Sequence, residues 1–428
     1  MAILIGVDEA GYGPNLGPLV VAATAWRVAE TSEVGAERSE VSGRRSAGRR
    51  RAAASSPAAR VAGDDQREPP ESQRSSATKL GARSARPQPP VVHAAPPDLY
   101  ELLAGAVTDD PGDGDRVAVA DSKRLYKPGG GWRLLERGVL AARALLVEPG
   151  ATLSESGGRF SERIDHEELL AALATDADGD STATPWQRGD ALPLPRDASP
   201  GEVADAADAL ASACEGARVR FLGVRARRVE PAEFNDLVDR HGTKGAALSH
   251  VTLALVREVV DDALSSASGG WGRPTGAPRE DARDGAATGG SLRSSPATPC
   301  ETVQITCDKH GGRNRYAGLL QHHFPDCWID VIRESRAESR YTWRHGSVDC
   351  TATFRVGGEA ALPTALASMT AKYLRELAMH EFNAYWTQRV PGLRPTAGYP
   401  VDAKRFKAEI AAEQKRLGID DRVLWRCR

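Results

Sequence analysis

The chain has 428 residues, only 5% of them aromatic, with 42 glycines, 27 prolines and a net charge of −2 from 56 basic and 58 acidic side chains. The length allows two or three domains, but this composition leaves much of the chain outside a packed core. No run of 18 apolar residues suits a transmembrane helix, and six cysteines without CxxC spacing argue against a disulfide framework or a cysteine zinc site.

Ile3-Leu4-Ile5-Gly6-Val7 is a short apolar run that predicts a buried strand over 2–8, entering Asp8-Glu9 and then Gly11-Tyr12-Gly13-Pro14 and Gly17-Pro18. The two acids interrupt the run too early for a signal peptide, and with the reduced cysteines this places the protein in the cytoplasm. A second strand is expected over 18–27. Residues 29–97 are rich in Ser, Ala, Arg, Pro and Glu and almost free of large apolar side chains. Such a segment buries too little surface to offset its ordering entropy, so it is expected to be a disordered insert. Its basic run (Arg44, Arg45, Arg49, Arg50, Arg51) reads as a solvated tail or a nucleic-acid tether.

Downstream, the pattern predicts a helix over 132–147, a variable insert over 150–200 and a strand over 218–226. A helix over Ala246 to Asp262 and a flexible insert over 265–299 follow. Strands are then expected at Val303 to Cys307, Trp328 to Ile332 and Ala352 to Val356, and a long helix from Ala365 to Trp386, ended by Pro391 and Pro395. With the inserts set aside, one mixed α/β domain spans 1–428, with no internal repeat.

Three acidic positions share one design. Asp8 and Glu9 end the first strand, Asp308 ends Val303–Cys307, and Glu359 follows Val356-Gly357-Gly358. Carboxylates at the ends of neighbouring strands converge on one point, and clustered negative charge at a core edge calls for a cation. Hard oxygen ligands suit Mg²⁺ or Mn²⁺, and two such ions serve phosphodiester hydrolysis. Any one of these acids alone also fits a turn or a helix cap. Adjacent strand residues face opposite ways, so Asp8 and Glu9 share a site only if the chain bends just after Asp8. The Gly11-Tyr12-Gly13 turn reads either as a cradle of backbone N–H groups or as a tight turn.

Val7-Asp8-Glu9-Ala10-Gly11-Tyr12-Gly13-Pro14 with Gly17-Pro18 resembles the DEAGRGP signature of ribonuclease HII. The similarity continues in order through Ala120-Asp121-Ser122-Lys123-Arg124-Leu125 (DSKKL) and Phe221-Leu222-Gly223 to Asn235. Beyond these come Ile305-Thr306-Cys307-Asp308, Val356-Gly357-Gly358-Glu359 (VKGD), Ala367-Ser368-Met369 to Glu376 (ASILAK…RD) and Gly398-Tyr399-Pro400 (GYPT). The matches cover about half of the chain.

The resemblance implies an RNase H-like fold, a mixed five-stranded sheet flanked by helices. It implies cleavage of the RNA strand of RNA–DNA hybrids with two Mg²⁺ or Mn²⁺ ions, leaving 5′-phosphate and 3′-hydroxyl ends. Asp8, Glu9, Asp308 and Glu359 would be the metal carboxylates, Glu334 being the rival for the fourth place. Lys123 and Ser122 would contact phosphate, and Tyr399 with Gly11, Tyr12 and Gly13 would meet the 2′-hydroxyl. The implied partner is the hybrid itself, with no membrane and no obligate protein partner. Two other functions stay open: the same site acting on another nucleic acid, or a catalytically silent nucleic-acid binder.

Tyr12 stands where the family's turn has arginine, offering one hydroxyl in place of a guanidinium fork, so recognition of a single embedded ribonucleotide should weaken. The cation-rich Lys309-His310-Gly311-Gly312-Arg313-Asn314-Arg315 reads as a phosphate grip or a solvated turn, and His310 as a general base or polar surface. Lys404, Arg405 and Lys407 read as an extension of the binding surface or as an exposed helix face.

Overall fold

The computed structural model describes residues 1–29, 95–126, 131–146, 164–165, 169, 173, 184–188, 192–265 and 301–427. All of them belong to one unit, Met1–Glu30 with Val92–Arg428. The insert expected at 29–97 lies outside the described residues apart from 29 and 95–97, as does that at 265–299 apart from 265. The third differs: Trp186, Leu194 and Ala198, within 150–200, are buried in the core.

Seven strands build the main sheet: β1 (Ala2–Ala10), β2 (Leu19–Val28), β3 (Val219–Val229), β4 (Thr302–Asp308), β5 (Asp330–Glu334), β6 (Glu338–His345) and β7 (Val348–Arg355). Their order is β3-β2-β1-β4-β7-β6-β5. β1 pairs antiparallel with β2 and parallel with β4, and β7 pairs parallel with β4. The fold class is the expected mixed α/β, a mixed sheet flanked by helices. The sheet is two strands wider than the expected five, because Glu338–His345 forms a hairpin with β7 and β5 then adds at the edge. Edge strand β5 is largely exposed, so its sequence carries little of the alternation that marks a half-buried strand.

The helices are α1 (Arg133–Ala144), α2 (Pro200–Gly216), α3 (Pro231–His241), α4 (Lys244–Ser265), α5 (Ala317–His323), α6 (Leu362–Arg389) and α7 (Pro400–Arg416). Ile3, Ile5 and Val7 of β1 pack with Val251, Leu255 and Val259 of α4, while Leu4 joins the core made with α1, α2 and α6. Both faces of β1 are therefore covered, which is why it reads as a continuous apolar run instead of an alternating one. A third core cluster joins the far half of α6 to α7 through Phe382, Trp386, Phe406 and Ile410. Tyr373, Phe382 and Trp386 are core side chains. No helix among the described residues is long and apolar enough to cross a membrane.

The start of α6 sets the geometry of the site. Thr24 Oγ1 donates to the Pro363 carbonyl at 2.8 Å, and Thr364 Oγ1 donates to the Thr306 carbonyl at 3.2 Å. A Cβ at Gly6 would stand 2.1 Å from both Pro363 C and Thr364 N. Only glycine lets the helix lie this close on β1. Gly6→Ala is expected to lower the unfolding free energy by about 3 kcal/mol, as overpacking against backbone does; denaturant titration checks this.

Candidate active site

Strand register brings the acids together. Pairing of β1 with β4 ends at Val7 opposite Cys307, and Arg355 of β7 lies opposite Asp308. Asp8, Asp308 and the turn after β7 therefore meet at the same end of three adjacent strands. The bend expected just after Asp8 is not there: β1 stays paired with β2 through Ala10, and the chain turns at Gly11, φ +88°. Gly357, φ +72°, starts the turn that carries Glu359, and the Gly357 and Gly358 N–H groups donate to Asp308 Oδ1 at 3.1 and 3.3 Å. A Cβ at Gly358 would meet Asp308 N at 3.0 Å, so the double glycine is what allows this approach.

The electrostatics follow from burial and crowding. Burial holds the Asp8 carboxyl well above the usual carboxylate range, and Asp308 and Glu359 add to the shift while the Ser368 hydroxyl opposes it. Glu9 is raised by burial first, then by Asp8 and Asp308, with Lys123 acting against them. Lys123 is itself held above its ordinary value: burial lowers it, but Asp121, Asp8, Glu359 and Asp308 together outweigh that. Glu359 thus belongs to the cluster. Glu334 sits elsewhere, accepting the Tyr341 hydroxyl at 2.6 Å and facing Arg315 at 3.7 Å.

Asp121 caps the short helix Ser122–Leu125, accepting from the Lys123 N–H at 3.0 Å. Ser122 is buried, and its hydroxyl accepts from Ser368 Oγ at 3.1 Å, which ties this segment to α6 and to Asp8. Glu359 also borders a cleft of about 560 Å³ lined by Asp121 and Arg124.

The N-terminal turn and the Gly398-Tyr399-Pro400 segment are likewise brought together. The Asn15 and Leu16 N–H groups donate to the Gly398 carbonyl at 2.8 and 3.3 Å. The exposed Tyr399 ring would stand 3.7 Å from a Cβ at Gly13. The Tyr12 hydroxyl would lie 3.6 Å from a Cβ at either Gly245 or Gly311, lodged between α4 and the loop after β4.

Two buried arginines at the turn escaped sequence reasoning as parts of the site. Arg426 Nη2 donates to the carbonyls of Gly11 and Pro14, and Arg375 Nη2 donates to Ala397 O at 3.0 Å. A Cβ at Gly11 would meet Arg375 Nε at 2.5 Å. Burial, with the Arg375 charge beside it, pushes Arg426 down to about 9. Arg375 lies within the quoted ASILAK…RD match, but nothing near Arg426 in sequence connects it to a turn more than 400 residues away.

Lys309 and His310 follow neither of their sequence readings. Lys309 is buried, and its Nζ donates to Arg313 O, Asn314 Oδ1, Ser335 O and Ser339 Oγ at 2.7–3.2 Å, tying the loop to the β5–β6 turn. His310 is buried against Ser249 Oγ at 3.0 Å, and burial pushes it down to about 3, so it is neither a poised base nor polar surface. Arg405 pairs with Asp402 and Glu409, and Lys407 with Asp421, so those charges are locally matched.

The donor set fits a divalent cation. Four carboxylates supply hard oxygens, and Glu359 Oε2 is buried with no hydrogen-bond partner. The carboxylate oxygens are spread more widely than a single tight shell. Among the described residues, only His250, His322 and His323 bring three such ligand atoms within 4.8 Å of one another.

Among solved structures, the chain is similar to the PCNA:RNase HII complex from Archaeoglobus fulgidus, at 11% identity over 100% of this chain and 94% of that one, with a TM-score of 0.32. It is also similar to ribonuclease H2 from Pyrococcus horikoshii OT3, at 12% identity over 99% and 92%, with a TM-score of 0.34. No protein-family model and no curated protein matches the chain.

Two outcomes follow from this geometry. Because Glu9 is partly desolvated among like charges, Glu9→Gln in the presence of a chelator should raise the unfolding free energy by about 1 kcal/mol, and millimolar Mn²⁺ should stabilise the parent more than the variant. Thermal melts of both proteins with and without metal check this. Lys309→Met should cost about 3 kcal/mol in denaturant unfolding, because it leaves buried carbonyls without their donor.

Proposed function

We propose that the chain is a metal-dependent endonuclease of the ribonuclease HII class that hydrolyses the RNA strand of RNA–DNA hybrids. One observation carries the reading: Asp8, Glu9, Asp308 and Glu359, from three distant stretches of the sequence, meet at one end of the sheet with Lys123 beside them. Clustering these partly desolvated carboxylates destabilises the protein in the absence of a cation, which weighs against a silent binder.

In this reading the four carboxylates hold two Mg²⁺ or Mn²⁺ ions. Such ions supply positive charge at the scissile phosphate and acidify the attacking water. The residues of the chain position the substrate around them. Gly357 and Gly358 N–H groups fix the Asp308 carboxylate in orientation. Lys123, exposed at the start of its helix, neutralises an adjoining phosphate of the strand. The Tyr399 ring and the backbone of the Gly11–Gly13 turn form a surface for the 2′-hydroxyl, the group that distinguishes RNA from DNA. The hydrolysis leaves a 5′-phosphate and a 3′-hydroxyl.

Arg375 and Arg426 are directed to backbone carbonyls at or near the turn, so neither replaces the guanidinium that Tyr12 lacks. The reading therefore favours runs of ribonucleotides over a single embedded one.

Three labelled duplexes test this: one with a ribonucleotide run opposite DNA, one with a single embedded ribonucleotide, and one all DNA. The run should be cut in Mg²⁺ or Mn²⁺, the single ribonucleotide at least about tenfold more slowly, and the all-DNA duplex not at all. Asp308→Asn should lower cleavage of the run by about a thousandfold or more. Cleavage that persists undiminished in Asp308→Asn, or equal cutting of DNA, would show the reading to be wrong.

A further inference from the structure

A second cluster of ligating side chains lies apart from the carboxylates and has no part in the mechanism above. His250 is in the second turn of α4, and His322 and His323 end α5. His250 Nδ1 and His323 Nε2 are 3.2 Å apart, and the His322 ring stands edge-on to both, with centroids 5.0 and 4.9 Å away. One ring nitrogen from each of the three lies within 4.8 Å of the others. We propose that His250, His322 and His323 form a binding site for a borderline divalent cation of the Zn²⁺ type.

Three observations support it. The first is spacing. With metal–nitrogen bonds of about 2.0–2.1 Å, two ligands of a tetrahedral ion stand about 3.3 Å apart. The observed pair is already at that separation. A hydrogen bond between two neutral imidazoles accounts for this pair, but it does not account for the third ring within the same 4.8 Å.

The second is orientation. The His241 ring, at the end of α3, stacks on His250 at 3.8 Å and 19°, fixing its plane. Arg257 Nη1 donates to the His323 carbonyl at 3.1 Å, fixing the end of α5 against α4. Supports of this kind reduce the ordering cost of assembling a metal shell.

The third is access. His250 and His322 line a cleft of about 650 Å³ together with Arg313, Arg315 and Glu334, so a solvent molecule has a path to a fourth position. The donor set is three imidazole nitrogens, which selects Zn²⁺, Co²⁺, Ni²⁺ or Cu²⁺ over Mg²⁺. The two sites therefore differ in preference, oxygen donors at the sheet end and nitrogen donors between α4 and α5. A bound ion clamps α5 to α4.

Co²⁺ is the probe, because its visible absorption reports ligand type. The full chain is titrated with Co²⁺ in excess Mg²⁺, which occupies the carboxylate site. One equivalent should bind with a visible band, and the melting temperature should rise. His250→Ala, His322→Ala and His323→Ala should each weaken binding at least about tenfold, whereas Asp308→Asn should not. His322 is the most exposed of the three, so His322→Ala tests the site even if the other variants fail to fold, with circular dichroism confirming its folding. Absence of binding at about 1 mM Co²⁺, or binding unchanged by His322→Ala in a folded protein, overturns the proposal.

Discussion

The structure is organised around the concentration of negative charge at one end of its sheet. Asp8 and Glu9 are half-buried, and each is pushed toward its neutral form by desolvation and by the neighbouring carboxylates. Such an arrangement persists only if the surrounding fold over-determines it. Here β1 is sandwiched between α4 and α6, the start of α6 is seated on Gly6, and Asp308 is held by two backbone N–H groups from the turn that carries Glu359. Lys123, on a separate capped helix, supplies partial compensation without closing the site.

Compensation within the protein is deliberately incomplete in the physical sense that Glu359 Oε2 keeps no partner, whereas the cations nearby in sequence are directed elsewhere. Lys309, next to Asp308 in the chain, places its ammonium among carbonyls and hydroxyls of the Asn314 and Ser335 turns. Had it turned into the cluster, it would have neutralised the charge that a divalent ion needs. Arg375 and Arg426 each direct Nη2 to backbone carbonyls at or near the N-terminal turn, and Arg375 Nη1 faces Glu376. They stiffen it against the Gly398–Tyr399 segment, whose Gly398 carbonyl already accepts from Asn15 and Leu16. Rigidity and charge are thus supplied by different side chains.

This division explains what was legible in the sequence. The acids were legible because each ends or follows an apolar strand, and strand ends converge whenever strands are neighbours. The Gly11 turn was legible as a turn, and Gly11 has positive φ, whereas the close backbone contacts under Gly6 and Gly358 had no sequence signal of their own. The bend after Asp8 was misplaced: β1 stays paired with β2 through Ala10, although its pairing with β4 stops at Val7, and the chain turns only at Gly11. Lys309 and His310 were misread because their roles depend on Ser335, Ser339 and Ser249, partners 26 to 61 residues away that no local pattern connects. The width of the sheet was underestimated because β6 was not expected: its inward side chains are Ser339, Tyr341 and Trp343 and its outward ones include Arg340 and Arg344, so the alternation is present but carried by polar and aromatic residues.

Helices α4 and α5 show how one architecture can keep two ligand chemistries apart. α4 packs its apolar stripe, Val251, Leu255 and Val259, on the sheet, and presents His250 toward α5. The carboxylates at the sheet end offer hard oxygens, and Asp8 and Glu9 are raised in pKa by burial and by their neighbours, so the draw of an ion proposed there would be charge. The histidines are held by stacking and helix packing, so the site proposed for them would bind through directional lone pairs. Because charge and lone-pair geometry select different ions, neither site needs to exclude the other's metal by shape. On the two proposals above, one chain would offer oxygen donors at the sheet end and nitrogen donors between α4 and α5, each set in place by different elements.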